Sequence, residues 1–434
     1  MRRLLLVIYN LVAVPLLFLS FLLSSLFNSK IRRGIQGRRS NYARLCEQLA
    51  KVNPTAPRIW FHVSSYGEYL QAYPILKQLK TKYPAAIIIV SFYSPSGYDH
   101  VSLGEVVDVK CYLPFDSYWG AKKFVGLLAP TVAIIVRHDI WPNFVYRVAQ
   151  QQIPLLLVDA SLSDRSARLM PGLRQINRQL FSCMKAILTI SEVEAEKFRR
   201  LLDRAENVMV VGDTKYDQVL ERSQQRQAIA TLLEKPELRQ RQIWVVGSSW
   251  PRDEQFILPA FETLCRQFDN LLLILAPHEP EPHRVQEIEA YLAGAQLSAQ
   301  RLSQLDNRPF VARCLIVDRI GVLAALYSLA KIAFVGGSFH YKVHNVLEPA
   351  IFGIPVLFGP KMTNSAEAQQ LLANNAAILV RSREEIVATV TDLLQHANIA
   401  NSYGQRARQI VMQNVGSSEK IAEILLSFLP QTNR

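Results

Sequence analysis

The first residues that could do chemistry lie in the loop Ser64-Ser65-Tyr66-Gly67-Glu68, directly after a short apolar run that predicts a β-strand. A helix is predicted from Tyr69, so the Glu68 carboxylate lies at a strand end, beside a glycine that opens the backbone. A carboxylate in this position could act as a general base and take a proton from an acceptor hydroxyl. Taken alone, a Glu in the first turn of a helix is more often a partner of the helix dipole.

A second candidate stretch, Val335 to Pro360, combines a buried strand, a glycine pair and the start of a helix. The strand breaks at Gly336-Gly337, and a polar loop from Ser338 to Asn345 leads into the helix. Backbone N–H groups and the positive end of the helix dipole would meet there, which suits an anion. Asn345 is the predicted N-cap, and Glu348 in the first turn could bind a ribose. The plainer alternative is a strand–turn–helix whose glycines only turn the chain.

Other predicted strand ends also carry polar residues. Gly247-Ser248-Ser249 offers N–H groups and hydroxyls, as phosphate-binding loops do. A basic, hydroxyl-rich loop around Arg165 could hold an anionic sugar or a lipid phosphate, and a capped helix start explains it equally well. His340 and His344 are four residues apart but lie in a loop, and no Asp-x-Asp pair occurs, so no metal site is predicted.

The elements that position these residues follow an alternating pattern from Arg58 onward, in which short apolar runs are separated by amphipathic stretches. This alternation predicts parallel sheets with helices on both faces. Functional loops gather at the carboxyl ends of the strands in such sheets. The predicted strands are Ile59 to Val63, Ala86 to Val90, Val132 to Val136, Ile153 to Val158, Ala186 to Ile190 and Val208 to Val211, then Ile243 to Val246, Leu271 to Ala276, Cys314 to Val317, Ile332 to Val335 and Val356 to Phe358.

The segment from Leu4 to Phe27 is almost wholly apolar. As a helix it would run roughly 36 Å, enough to cross a ~30 Å hydrocarbon core. No good cleavage site follows it, so a retained anchor is favoured over a secretory signal. The richer positive flank, from Lys30 to Arg44, is expected to stay cytoplasmic and to lie against anionic headgroups. A monotopic segment that lies in one leaflet is the alternative.

Charge and cysteine content narrow the classes of partner and compartment. The 434 residues include 49 Lys and Arg against 36 Asp and Glu, a formal net charge of +13. This excess favours an anionic partner, but the basic residues form no aromatic-interleaved patch, so nucleic acid is not expected. The five cysteines are widely spaced and form no CxxC pair, which is typical of reduced thiols in the cytosol.

The stretch from Gly336 to Pro360 resembles the GGS…HN-LEPA-FG-PV-FGP signature of the bacterial Kdo (3-deoxy-D-manno-octulosonic acid) transferases, which glycosylate the lipid A precursor. The loop that ends at Glu68 is similar to their HAAS-VGE segment, Gly212 to Asp217 to GN-KFD, and Asp159 to Ser166 to NARLSERS. The loop around His278 matches a PRHPER-like segment loosely. The resemblance runs from about Trp60 to Pro360.

One departure concerns the family segment ETELWPN, which has two acidic residues near the acceptor. This chain reads Arg137-His138-Asp139-Ile140-Trp141-Pro142-Asn143 there. Asp139 keeps one acid, whereas Arg137 reverses the charge of the other. The departure affects the expected details of acceptor binding and the number of sugars added.

The resemblance implies roles for individual residues. Glu68 matches the catalytic base, and its loop is expected to position the acceptor together with the residues after the third strand and the basic loop: Ser65, Gly67, Arg137, Asp139 and Arg165. The donor nucleotide is expected at Lys215, Gly247, Ser248, Ser249, His278, Gly336, Gly337, Ser338, His344, Asn345 and Glu348. The implied reaction moves Kdo from CMP-Kdo to a lipid A precursor (lipid IVA) with inversion, in lipopolysaccharide core biosynthesis, without a metal or other cofactor.

The predicted architecture is therefore a GT-B glycosyltransferase of the α/β class, with two Rossmann-like domains that face a cleft after an N-terminal membrane-anchor helix. The expected limits are 1–30 for the anchor, 31–210 for the acceptor domain, 211–405 for the CMP-sugar domain, and 406–434 for a helix that returns to the first domain. We expect the catalytic part at the cytoplasmic leaflet of the inner membrane. The alternatives are a same-fold enzyme for another nucleotide sugar, an epimerase included, and a membrane-anchored binding protein without turnover.

Overall fold

The computed structural model describes residues 6–163, 166, 168, 170–202, 206–224, 229, 232, 234–305 and 309–430. Contacts divide the chain into two compact units. Unit 1 comprises Met1–Gln218 and Val415–Arg434, and unit 2 comprises Val219–Asn414. The predicted limit at 210/211 lies before this division, which falls inside a helix, Thr214–Gln224.

Unit 1 contains a parallel sheet, which has seven strands among the described residues. The strands are β1 (Arg58–Val63), β2 (Ile87–Phe92), β3 (Val109–Tyr112), β4 (Val132–Val136), β5 (Leu155–Ala160), β6 (Ala186–Thr189) and β7 (Val208–Val210). Their order is β3-β2-β1-β4-β5-β6-β7. Both faces are covered, since Ile59 and Phe61 point into one core and Trp60 into another.

The helices of unit 1 connect these strands and extend the chain at its start. A π-helical turn, Tyr9–Ala13, precedes α1 (Val14–Phe27), α2 (Ser29–Arg39), α3 (Asn41–Leu49), α4 (Tyr66–Lys82), α5 (Pro95–His100), α6 (Tyr118–Leu128), α7 (Pro142–Gln150), α8 (Pro171–Phe181) and α9 (Glu192–Leu201). The next helix, α10 (Thr214–Gln224), begins in unit 1 and ends in unit 2. The continuous helical segment Leu6–Phe27 is long and apolar enough to cross a membrane, by length and composition.

Unit 2 repeats the architecture, again with seven parallel strands in the part of the chain that is described. The strands are β8 (Gln242–Ser249), β9 (Leu271–Pro277), β10 (Ala299–Arg301), β11 (Cys314–Ile316), β12 (Ile332–Val335), β13 (Val356–Phe358) and β14 (Ile378–Leu379). Their order is β10-β11-β9-β8-β12-β13-β14. The helices are α11 (Pro251–Cys265), α12 (Pro282–Gly294), α13 (Leu323–Leu326), α14 (Leu347–Ala350), α15 (Ala366–Ala373), α16 (Arg383–Gln395) and α17 (Ala397–Gln413), with 3₁₀ turns at Pro236–Gln240, Leu302–Gln304 and Tyr327–Leu329.

The last helix, α18 (Ser417–Leu426), belongs to unit 1. The predicted single helix over 406–434 is interrupted, because the chain turns at Gly416 with a left-handed φ of 110°. Asp217 secures this turn by accepting hydrogen bonds from the N–H groups of Gly416 (2.9 Å) and Ser418 (3.3 Å). On the surface, Lys82 at the end of α4 lies 3.1 Å from Glu419 in α18.

The prediction of two Rossmann-like domains with parallel sheets is confirmed. Each sheet also has a switch point, where the chain leaves its central strand in one direction and later returns on the other side. The switch lies between β1 and β4 in unit 1 and between β8 and β12 in unit 2. Ligands of open α/β sheets bind at the carboxyl ends of the strands that flank such a point. The four loops after these strands are therefore where a site is expected.

Candidate active site

The loop after β1 places Glu68 at the switch point of unit 1. Ser65 caps α4, its Oγ accepting from the Glu68 N–H at 3.4 Å, and the Glu68 carboxylate accepts from the Ser64 N–H at 2.5 Å. This reciprocal arrangement resembles a capping box. It differs in that the Glu68 carboxylate accepts from the N–H of Ser64 and not from that of the N-cap residue, Ser65. Gly67 is exposed, and Glu68 is half-buried.

The same local geometry occurs at the start of α16. There Ser382 accepts from the Glu385 N–H at 3.2 Å, and Glu385 accepts from the Arg381 N–H at 2.8 Å. Hydrogen bonding alone therefore does not separate a capping glutamate from a catalytic one. The difference is position, because Glu68 lies at the sheet's switch point, and α16 begins elsewhere.

A buried histidine connects the loop after β4 to β1. His62, which is 2% exposed, shares a 2.8 Å hydrogen bond between Nε2 and Asp139 Oδ2, and its Nδ1 lies 2.9 Å from Ser91 Oγ. Burial acts to raise the pKa of Asp139, but the His62 hydrogen bond and nearby charges outweigh it and hold that pKa below the usual value. Asp139 is therefore an ionised carboxylate in a fixed place at this sheet edge.

Arg137 lies one residue beyond β4 in a left-handed conformation, with φ of 64°. Non-glycine residues rarely adopt this conformation, and it recurs at functional sites. Its Nη2 is 4.0 Å from Asp213 Oδ2, and its Nε is buried without a hydrogen-bond partner among the described residues. Arg137 therefore lies at ion-pair distance from Asp213, and its Nε–H is still able to donate a hydrogen bond.

Two aspartates lie beside Arg137 at this edge. Asp159, with φ of 50°, is fully buried and accepts from both the N–H (3.1 Å) and the hydroxyl of Thr214. Burial and the neighbouring Asp213 raise the pKa of Asp159. Lys215 lies at the start of α10, with Nζ 3.9 Å from Asp213 Oδ2. Of the other predicted site residues in this unit, Arg165 lies outside the described residues.

The corresponding site in unit 2 depends on Asp253 of α11. This fully buried carboxylate accepts from the N–H groups of Trp250 (2.9 Å), Gly337 (2.7 Å) and Phe339 (2.9 Å). It therefore fixes the loops after β8 and β12 to each other. Burial raises its pKa, although these three hydrogen bonds oppose the shift.

The glycine pair after β12 serves the fold in a way that the sequence did not predict. The Gly336 N–H donates to Gly247 O at 2.8 Å, and the Gly337 N–H donates to Asp253. A side chain at Gly336 would collide with the backbone of Ser248 and Ser249. These two N–H groups are thus occupied within the unit, which differs from the expectation that they are offered to an anion.

The segment Gly247 to Ser249, predicted as a loop, belongs to β8. Gly247, Ser248 and Ser249 form the end of the strand, with an irregular register and a left-handed Ser248 (φ 53°). Ser249 is buried and donates to Glu254 Oε1 at 2.7 Å. Ser338 is buried too, and its hydroxyl accepts from the Gly359 N–H at 2.7 Å. Both hydroxyls therefore stabilise these loops. Ser248 lies at the turn between Gly247 and Ser249.

Three aromatic rings stack beside this turn. His278 and His344 have ring centroids 4.2 Å apart, and Trp250 stacks on His278 at 5.0 Å. Trp250 Nε1 donates to His344 Nε2 at 2.9 Å, which requires that nitrogen to be unprotonated. Burial, His278 and Lys342 lower the pKa of His344 to about 4, so its imidazole is neutral at pH 7.

Glu348 is more buried than its predicted place in a helix turn suggested. α14 has only four residues, and Asn345 accepts from the Leu347 N–H at 3.1 Å just before it. Glu348 is 9% exposed and pairs with Arg222 at 2.6 Å. Burial raises its pKa, with Arg222 and Asn345 acting in the opposite direction. The described residues contain no group of three or more His, Cys, Asp or Glu side chains placed to hold a metal ion.

Sequence reasoning missed several residues that organise these sites. His62, Asp213, Asp253 and Arg222 all make contacts between segments far apart in sequence. Only His62 carried a usable signal, since it is the one polar residue in an apolar strand that ends at the candidate loop.

Comparisons with known proteins agree with this architecture. Residues 36–218 match the family model described as 3-deoxy-D-manno-octulosonic-acid transferase (kdotransferase). A Kdo transferase of Rickettsia felis is 29% identical over 376 residues, which cover 86% of this chain and 79% of the relative. One from Haemophilus influenzae is 26% identical and covers 87% of this chain and 88% of the relative.

Solved structures show the fold. A UDP-GlcNAc 2-epimerase from Neisseria meningitidis, bound to UDP-GlcNAc, superposes with a TM-score of 0.60 at 14% identity, over 85% of this chain and 100% of that one. A glycosyltransferase from Rickettsia africae gives a TM-score of 0.56 at 11% identity, over 87% and 100%.

The fold and these matches define the chain as a glycosyltransferase of the GT-B fold. Within that class its sequence is similar to those of bacterial Kdo transferases, so the resemblance seen in the motifs is confirmed. Kdo transfer in lipopolysaccharide biosynthesis is the function that these relatives support.

Proposed function

We propose that the protein transfers Kdo from CMP-Kdo to a lipid A precursor, lipid IVA, with inversion at the anomeric carbon. The observation that carries the proposal is the coincidence of motif and topology. The segments that resemble the family most closely, at Glu68 and at Gly336 to Glu348, follow strands that flank the switch points of the two sheets.

Glu68 is the proposed general base. Its carboxylate takes the proton of the acceptor hydroxyl, the hydroxyl oxygen attacks the anomeric carbon, and the bond from that carbon to CMP breaks with its electron pair on the phosphate. Attack on the face opposite the leaving group inverts the configuration. Asp139, held by His62, and Arg137 line the same sheet edge and position the acceptor, with Ser65 and Gly67 in the loop after β1. Arg165 is proposed to assist them.

Unit 2 is the proposed site of the donor. Glu348 would accept hydrogen bonds from the ribose hydroxyls, and Asn345 and His344 would contact the nucleotide from the same loop. His278 and the turn at Ser248 would face the phosphate. Lys215 would balance the charge that develops on the leaving CMP. No metal or other cofactor takes part in the proposed reaction.

The proposed location is the cytoplasmic leaflet of the inner membrane, where a lipid acceptor is found. The apolar segment Leu6–Phe27 would hold the protein there. The exposed basic residues that follow it in α2, among them Lys30 and Arg33, suit anionic headgroups. The catalytic units would then lie on the cytoplasmic side.

The test is single-turnover transfer from freshly generated CMP-Kdo to a tetraacylated lipid A precursor, with the products resolved by mass. One or more added Kdo residues would support the proposal, and their number would show what Arg137 changes. Full conversion of a different nucleotide sugar, with none of CMP-Kdo, would refute it.

A second candidate is a same-fold enzyme that uses another nucleotide sugar. It would need only different residues in the nucleotide pocket, since a UDP-GlcNAc 2-epimerase has the same fold. Binding of CMP and UDP to the full chain distinguishes the two. Tighter binding of CMP supports the Kdo donor, and tighter binding of UDP supports the alternative.

A further inference from the structure

The apolar N-terminal segment is docked on unit 1 by polar side chains. Tyr9 donates its hydroxyl hydrogen to Asp116 Oδ2 at 2.8 Å. Asn10 and Asn143 exchange two side-chain hydrogen bonds, at 2.8 and 3.1 Å, and Asn10 Oδ1 also accepts from the Tyr118 N–H at 3.0 Å. Tyr9 and Asn10 belong to the π-helical turn, a feature that often marks functional positions in helices.

The partners of these side chains are buried and rigidly held. Asp116 is 6% exposed and also accepts from the N–H groups of Asn143 (3.2 Å) and Phe144 (3.3 Å). Asn143 is 4% exposed and donates to the backbone oxygen of Asp116 at 3.0 Å. Asn143 also ends the Trp-Pro-Asn frame that begins two residues after Asp139. Asn143, which binds the N-terminal segment, and Asp139, which is proposed to position the acceptor, therefore lie in one short stretch of the chain.

Aromatic contacts extend the docking along the helix. Phe18 lies edge-on to Phe115 with ring centroids 5.3 Å apart, and Phe21 contacts Phe115 at 5.6 Å and Tyr93 at 5.8 Å. From Tyr9 to Phe21 the helix advances about 18 Å, more than half of the ~30 Å hydrocarbon core. A helix that crossed the bilayer with these contacts intact would carry the edge of unit 1 into the hydrocarbon.

That edge is not suited to hydrocarbon. Lys122 and Lys123 of α6 and Arg38 of α2 are charged residues of the elements around the docked helix, and ionised groups are costly at the bilayer centre. The opposite face of the segment is apolar and open. Leu11 is 73% and Leu26 63% exposed, and the other large exposed side chains on it are Val7, Ile8, Val12, Leu16, Leu19, Leu22, Leu23 and Phe27.

We infer that the segment Leu6–Phe27 does not cross the membrane but lies docked on unit 1 with its open face in one leaflet of an anionic bilayer. This inference rests on the proposed membrane location. It replaces a helix that spans the bilayer with a segment that stays in one leaflet. The basic helix α2, capped by Asn28, follows at once and exposes Lys30, Arg32 and Arg33 beside the apolar face. Apolar insertion flanked by cations is the pattern of interfacial helices. Trp119, 71% exposed at the start of α6, adds an aromatic residue of the interfacial type.

A crosslinking experiment on the full chain in its native membranes tests the docking. Phe18→Cys with Phe115→Cys, in a background without other cysteines, should crosslink with a short bismaleimide. The control pair is Leu16→Cys with Phe115→Cys, because Leu16 faces away from unit 1 with 61% exposure. Crosslinking of the first pair and its loss in the control support the inference, and equal yields overturn it.

Sidedness gives the second measurement. A single cysteine at position 3, Arg3→Cys, should react with a membrane-impermeant maleimide from the side that also labels the exposed native Cys46 in a matched variant. Labelling of membrane-bound protein from the opposite side would show a spanning helix and overturn the inference, while the proposed transferase location would stand. Recovery of the protein free of membranes would refute that location and this inference together.

Discussion

Arg137 and Asp213 should depend on each other for stability. In the family segments that this chain resembles, positions 137, 159 and 213 carry Glu, Asn and Asn, whereas this chain carries Arg, Asp and Asp. The formal charge is the same in both sets, since −1 + 0 + 0 and +1 − 1 − 1 both give −1. The structure brings the three side chains to one sheet edge, with Arg137 4.0 Å from Asp213 and Asp159 beneath them. We therefore predict that the three replacements compensate one another, and call them the compensated exchange.

The perturbation is Arg137→Glu, which turns an attraction into a repulsion. At 4.0 Å and an effective dielectric constant of about 20, a pair of unit charges interacts with ~4 kcal/mol. The Arg137 and Asp213 side chains are still 23% and 10% exposed, so solvent screens part of this energy. Because the charge is reversed, the unscreened change is up to twice this energy, and after screening we expect the free energy of unfolding to fall by about 3 kcal/mol in the single variant. Most of the loss should be recovered in Arg137→Glu/Asp159→Asn/Asp213→Asn.

The assay is urea unfolding of the full chain in detergent at pH 7, at low and high salt. Asp213→Asn and Arg137→Gln complete a double-mutant cycle, in which coupled residues give non-additive changes. The loss in Arg137→Glu should shrink at high salt, because both charges are partly exposed. Additive effects, with equal destabilisation by Arg137→Glu in the wild-type and Asp213→Asn backgrounds, would refute the compensated exchange.

Three further predictions concern the buried carboxylates. The folded-state pKa of Asp139 is lowered, so its stabilising effect is present above about pH 4 and is lost as pH falls through the lowered pKa. In acid unfolding, the free energy of unfolding of Asp139→Asn should therefore fall less steeply with decreasing pH than that of wild type. Asp253→Asn cannot accept all three backbone N–H groups and should cost about 1–3 kcal/mol, with weaker CMP binding in titration calorimetry; unchanged stability and affinity would contradict its organising role. Arg222→Met leaves Glu348 buried without a cation and should cost about 3 kcal/mol; adding Glu348→Gln should restore part of the loss in urea unfolding, and no restoration would count against the pair.

The sequence predicted most of the fold because central strands are continuous apolar runs. Val132–Val136 is an example, and its limits agree with the structure. Three edge strands of the described sheets were missed, β3 (Val-Lys-Cys-Tyr), β10 (Ala-Gln-Arg) and β14 (two residues), whereas the edge strand β7 was predicted. Strands of two to four residues are too short to form a long apolar run. The break at Gly416 was missed because amphipathic periodicity continues on both sides of it.

The site could be predicted only as far as it is local. Glu68 and Asn345 could be placed at helix starts from their neighbours in sequence. The use of the Gly336 and Gly337 N–H groups by Gly247 and Asp253 could not, because their partners are more than eighty residues away. The ion pair of Glu348 with Arg222 was missed for the same reason. Long-range pairing is decided by the order of the strands, which the sequence pattern alone does not give.

Kdo transfer by the Glu68→Gln variant tests the central claim most directly. Gln at this helix position can still accept from the Ser64 N–H, so the variant should fold as wild type and bind donor and acceptor. The control is Glu385→Gln, which changes a glutamate with the same capping geometry at the start of α16. We predict a loss of roughly 10²- to 10⁴-fold in the single-turnover rate for Glu68→Gln and no loss for Glu385→Gln. A folded Glu68→Gln variant that transfers Kdo at the wild-type rate would contradict the account.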